Sequence, residues 1–191
     1  DLIALIPFAA QAAAAIQKAR LLDERERVAN EQRRLMEIIA AMNATADLTT
    51  ILRMVRDTVV EVGGFDRAGL YLYNEATGYM HGTWGTDREG NAEDIHYDVK
   101  PVSDDDRRLW GLGTAGCPDF VLLEHYHESY QTSHDHAMRG VDAHGIVHLR
   151  VNEEIVGFIG VDNLLSQRPI TSADLERLLP FAHQAAAAIH K

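Results

Sequence analysis

Basic charge, cysteine and long apolar runs are all scarce in this chain of 191 residues. Its 18 Lys and Arg stand against 29 Asp and Glu, a formal net charge of −11 at pH 7 with histidine neutral. Such an acidic surplus repels phosphate backbones and anionic lipid, so neither nucleic acid nor a membrane is an expected partner. Cys117 is the single cysteine. It cannot close an internal disulfide, so nothing points to an oxidising compartment and the cytoplasm is the expected location. The most apolar stretch, residues 2–16, is interrupted by Pro7 and Gln11 and falls short of the roughly 20 residues a membrane-spanning helix needs. It also lacks the basic start and cleavage context of a signal peptide. Nucleophile elbows, phosphate-binding loops and zinc-protease helices are missing too. Ser133, His134 and Asp135 are the residue types of a catalytic triad, but consecutive residues cannot adopt its geometry. The chain is not expected to be an enzyme.

What is present is a repeat. Residues 174–189 restate residues 1–16, including the Pro-Phe-Ala core and the Gln-Ala-Ala-Ala-Ala-Ile tail. Self-similarity of this kind fixes how a chain is cut into units. The expectation is the terminal helix of one domain at residues 1–18, a connecting helix at 19–46 and a complete domain at 47–191. A length near 190 residues suits one domain with a real core plus an extension.

Between Phe8 and Met42 there is neither glycine nor proline, and Ala, Leu, Glu, Gln, Arg and Lys dominate, a strong helix composition. Leu21, Val28, Leu35 and Met42 recur every seven residues, while Lys18, Arg25, Gln32 and Ile39 fill the alternate positions. Half a heptad seam of this kind is marginal by itself, with polar positions that set register. Two readings follow: a parallel homodimer seam at Leu21, Val28, Leu35 and Met42, or one amphipathic helix packed on its own domain.

Further along, Asp47 is suited to cap a helix whose apolar face uses Leu48, Ile51, Leu52, Val55, Val59 and Val60. Alternation predicts strands over residues 65–73 and 79–85 joined by Asn74-Glu75-Ala76-Thr77-Gly78, and an edge strand within 94–102. Ser103 and the three aspartates after it read as the start of a short helix. Residues 120–123 form a buried strand, and 144–151 and 155–161 a second hairpin in which Val147, Leu149 and Val151 share one face and His144, Ile146, His148 and Arg150 the other. Thr171 and Asp174 have the spacing of a capping box, and Pro180 bends or restarts the last helix. The order predicts an α+β domain: an antiparallel sheet with terminal helices on one face and a short helix plus loops on the other.

Several of these segments resemble the GAF domain family. Gly64-Phe65-Asp66-Arg67-Ala68-Gly69-Leu70-Tyr71-Leu72-Tyr73 is similar to its first strand. Gly140-Val141, the run from His148 to Asn163, and Ile170-Thr171-Ser172-Ala173-Asp174-Leu175 with the Ala-rich tail resemble its later elements. The resemblance covers about residues 46–191, and the leading helix resembles the end of a preceding GAF domain. It implies a GAF/PAS-like fold and a small-molecule sensor module of a signalling protein, paired through its terminal helices and placed upstream of kinase, cyclase or transcriptional outputs. Cyclic-nucleotide-binding members carry a signature that Asn163 and Asp174 match, but Leu164, Ile170 and Leu175 depart from it, so a cyclic nucleotide is not expected. Bilin-binding members carry a cysteine near the place of Gln131 and Thr132, where this chain has no thiol; a covalent bilin is not expected either.

The richest local chemistry lies at residues 125–138, with His125, His127, His134 and His136. His134 and His136 have a spacing that serves a metal, and haem-binding GAF domains resemble the sequence in placing a histidine ligand in about this loop. A metal site needs three or four converging ligands, which adjacency cannot establish. A solvated polar loop and an organic ligand are the alternatives. For the organic ligand the expected wall is Trp110, Tyr126, Tyr130 and Met138, with His134 or His136 as polar anchor. A dimerisation and spacer module with a collapsed pocket and a haem or metal redox sensor remain the competing readings of function.

Overall fold

A computed structural model describes residues 2–110, 112, 117–126 and 136–190. The chain divides into two compact units, Asp1–Glu37 and Ile38–Lys191. Helix α1 spans Leu2–Ala44, and its residues from Ile38 on belong to the second unit. In the first unit Leu21 is 61% exposed, Leu22 and Val28 are exposed and Leu35 is half-buried. Its surface charges pair along the helix, as in Arg27 Nη2 to Glu24 Oε1 at 2.7 Å.

Met42 corrects one expectation. It is fully buried inside the second unit, so this member of the proposed seam already belongs to the core of its own domain. The heptad spacing stops signalling a seam where the helix reaches the domain.

The second unit is built on a six-stranded antiparallel sheet in the order β5-β2-β1-β8-β7-β6. The strands are β1 Arg67–Asn74, β2 Tyr79–Gly82, β5 Val99–Pro101, β6 Phe120–Leu123, β7 His144–Val151 and β8 Glu154–Asp162. A separate two-stranded sheet pairs β3 Trp84–Thr86 with β4 Ala92–Asp94. The expected strand over residues 79–85 is therefore two strands in two sheets. The reason lies at Gly82 and Thr83. A Cβ at Gly82 would collide with the Ile95 carbonyl oxygen, so glycine lets the crossing chain in. Thr83 donates both its N–H, at 3.0 Å, and its hydroxyl, at 2.8 Å, to the Leu70 carbonyl. The expected edge strand within 94–102 is likewise split, because the chain turns between Ile95 and Asp98.

Helix α2, Leu48–Glu61, starts at Asp47, whose carboxylate accepts the Thr50 N–H at 2.9 Å. It buries Ile51, Leu52, Val55 and Val59 as its period requires, whereas Leu48 stays exposed. Arg56 is buried on the same helix. Its guanidinium donates to the Gly85 carbonyl at 3.1 Å and the Thr86 hydroxyl at 2.8 Å, tying α2 to β3.

Short helix α3, Asp104–Trp110, opens on Ser103 and Asp106, which cap each other. The C-terminal region restarts at Pro180: α4 is Ser172–Glu176 and α5 is Leu179–Ile189, with the proline at the start of α5 where its missing N–H costs nothing. The Thr171–Asp174 capping box is present.

Alternation along β7 and β8 sorts the core into two layers. Val147, Leu149, Ile159 and Val161 lie on the face covered by α5, with Leu175, all essentially without exposed surface, while α2 packs on β1 beside them. Each such buried aliphatic side chain contributes about 1.5–3 kcal/mol. Ile146 and Phe158 point to the opposite face and join Met80, Leu123, Tyr126 and Val141. The second layer holds the cavity.

Candidate functional site

Beneath the sheet, on the face away from α2 and α5, lies a cavity of about 350 Å³. That is the lower end of the roughly 300–1,000 Å³ typical of small-molecule sites. Its floor is the glycine pair Gly69 and Gly160, which face each other across β1 and β8. The His144 ring lies over Gly160, where a Cβ would come within 2.9 Å of Cε1. Tyr126 meets His144 edge to face, with ring centroids 5.3 Å apart.

One end is closed by a buried ion pair. Arg67 opens β1 and Asp162 closes β8, and the sheet register sets them opposite each other. Arg67 Nε donates to Asp162 Oδ1 at 2.9 Å and Nη2 to Oδ2 at 2.7 Å. The remaining guanidinium nitrogen reaches the Ala137 carbonyl at 3.0 Å, and the Leu164 N–H completes the Asp162 carboxylate at 3.0 Å. Arg88 holds the same loop through the Ala137 and Arg139 carbonyls. These bonds place Met138 against the cavity.

The mouth carries a second pair. Tyr71 donates its hydroxyl to Asp98 Oδ2 at 2.8 Å, Lys100 Nζ donates to the same oxygen at 2.8 Å, and that ammonium sits 5.2 Å from the centre of the Tyr71 ring. Burial, and then the Asp98 carboxylate, push the Tyr71 phenol well above its ordinary range. The aromatic wall is Phe158, which touches Trp110 and Tyr73 with centroids 5.2 and 5.4 Å apart. Tyr126 is pushed up to about 12, chiefly by burial.

Burial lowers His144 to about 4, against a smaller opposing pull from Asp162. His148, whose Nδ1 lies 2.7 Å from the Pro118 carbonyl oxygen, is also lowered by burial. Both rings are neutral at pH 7. A histidine with a depressed pKa leaves the unfolded chain binding more protons, so stability is full above pH 6.5 and falls as the pH drops from there toward 4. For His144 the loss is about 3 kcal/mol over that window. Urea titrations between pH 7 and 4 are expected to show it, with His144→Phe flattening the slope; an unchanged slope would contradict the assignment.

The cavity brings together four of the sequence-derived ligand residues: Trp110, Tyr126, His136 and Met138. Tyr130 and His134 lie outside the described residues, which leaves the His134–His136 metal pair without a described partner for His136. His136 is exposed, and its Nδ1 accepts the Met138 N–H at 3.1 Å. Among the described residues no cluster of three His, Cys, Asp or Glu could hold a metal. Sequence reasoning missed Arg67, Asp162, His144, Tyr71 and Asp98. Strand alternation placed His144 beside Ile146, but nothing local marks the others.

The family model described as GAF domain matches residues 45–190. The chain belongs to the GAF domain family. GAF domains are signalling and sensory modules. Solved structures agree in fold. Residues 122 to 287 of a methyl-accepting chemotaxis protein superpose with a TM-score of 0.64 at 18% identity, over 80% of this chain and 94% of that one. The GAF domain of a phosphoenolpyruvate-protein phosphotransferase from Coxiella burnetii gives 0.65 at 14% identity, over 84% and 93%. The phycoerythrobilin-bound GAF domain of a cyanobacterial phytochrome gives 0.61 at 13% identity, over 85% and 95%. At such identities the likeness is one of fold. No curated protein matches the chain. Among the described residues no helix is long and apolar enough to cross a membrane.

Proposed function

We propose that this GAF domain is a sensory, non-enzymatic module of a cytoplasmic signalling protein, which binds a small molecule in the cavity and passes its occupancy to the terminal helices. The cavity carries the reading. It is lined by residues of β1, β7, β8 and α3, and the other face of those strands packs against α2 and α5. A ligand that changes the spacing of Phe158, Ile146 and Trp110 therefore acts on strands whose opposite side chains hold the helices. Coupling of this kind requires unequal affinity for two helix arrangements. A GAF domain of the same fold is phycoerythrobilin-bound, which supports a ligand in this class of cavity. Native mass spectrometry of the freshly purified protein tests the reading. A bound small molecule is expected, and it is to be lost in Trp110→Ala. A protein that carries none, and whose thermal unfolding no compound in a broad metabolite panel shifts, would favour the spacer alternative.

The output is proposed to run through a parallel homodimer of the leading helix, with Leu21, Val28 and Leu35 at the seam. Their spacing and the exposure of Leu21 and Val28 support it. Leu21→Glu, Val28→Glu and Leu35→Glu together are expected to convert the dimer to a monomer in sedimentation velocity runs. An unchanged sedimentation coefficient would remove the seam from the account.

A further inference from the structure

The charges around the cavity narrow its ligand. Among the described residues, Glu93, Asp98, Asp106 and Asp162 line it against Arg67 and Lys100 alone. Both cations are engaged, Arg67 with Asp162 and the Ala137 carbonyl, Lys100 with Asp98. An anionic ligand would therefore enter a carboxylate-rich site in which both described lining cations are already committed, and desolvating an ion without a counter-charge is costly. The opposite sign is favoured. Five aromatic side chains, Tyr71, Tyr97, Trp110, Tyr126 and Phe158, share the lining with those carboxylates. Aromatic faces beside carboxylates are the setting in which ammonium groups are held, because the ring quadrupole attracts a cation and the carboxylate neutralises it. The protein displays the arrangement once already, in the Lys100 ammonium over Tyr71 and against Asp98.

Resting on the cavity reading above, we infer that the ligand of this site is an organic cation: a molecule with an aromatic or alkyl body and a protonated or quaternary amine. The carboxylate surplus sets the preference for charge, and the aromatic wall takes the body of the molecule. Glu93, which also accepts the Tyr97 hydroxyl at 3.0 Å, is a specificity-determining residue at the rim. The same arrangement selects against carboxylate- and phosphate-bearing molecules of equal size.

Three probes of one shape test it by isothermal titration calorimetry on the whole chain: 2-naphthylmethylammonium, 2-naphthamide and 2-naphthoate. The ammonium is expected to bind more than about tenfold tighter than the carboxylate, with the amide between them and the gap narrowing as salt is raised. Glu93→Gln keeps an oxygen for Tyr97 and is expected to weaken the ammonium several-fold while leaving the amide unchanged. Glu153→Gln, an exposed change in the β7–β8 turn, is expected to alter none of the three. Naphthoate binding as tightly as the ammonium, or an equal loss in the Glu93 and Glu153 variants, would overturn the cation assignment and leave the cavity reading standing. Binding of none of the probes would overturn both.

Discussion

Arg67→Ala is expected to destabilise the domain by about 3–5 kcal/mol, because it strands the Asp162 carboxylate inside the protein. Both side chains are nearly inaccessible, and the guanidinium makes two bonds to the carboxylate and one to the Ala137 carbonyl. The loss has two parts. One is electrostatic, an uncompensated buried charge. The other is positional, since the segment that carries His136 and Met138 loses its anchor to β1. Replacing the pair by apolar side chains, Arg67→Met with Asp162→Leu, removes the electrostatic part and is expected to recover most of the stability. It does not restore the anchor. Urea unfolding of the two variants separates the contributions; equal losses in both would show that the ion pair is not what the fold relies on here.

Phe158→Ala is the second large effect, with an expected cost of about 3–5 kcal/mol. Phe158 is almost fully buried and packs against Tyr73, Trp110 and His148. Deleting it removes the common contact of three rings and merges the void with the cavity. Because β8 pairs with both β1 and β7, closing the hole requires disturbing the ladder on either side. Phe158→Leu keeps most of the volume and is expected to cost less than half as much. A loss below about 1 kcal/mol for the alanine variant would show that the wall is not under packing control.

Alternation in β7 and β8 separates Val147 and Leu149 from His144, Ile146 and His148, and the structure keeps that division. The Thr171–Asp174 cap and the restart at Pro180 are equally legible, because each depends on residues within one turn. The break after Gly82 is not. It arises from the approach of the Ile95 carbonyl, which no local pattern encodes.

The same limit governs the site. Trp110, Tyr126, His136 and Met138 could be named from the composition of the short helix and the histidine-rich segment 125–138, whereas Arg67 and Asp162 are 95 positions apart and meet only through the register of β1 with β8. Met42 fits a heptad and yet is buried in its own domain. A seven-residue period in a single helix says which positions share a face, and leaves open what covers that face.

Cavity and terminal helices are expected to be coupled through the sheet. Amide hydrogen exchange of the chain with and without a small molecule shown by titration to bind the cavity tests this most directly. Changed exchange in α2 and α5, on the far side of the sheet from the ligand, is the expected result. Protection confined to the cavity walls, with both helices unaltered, would contradict it.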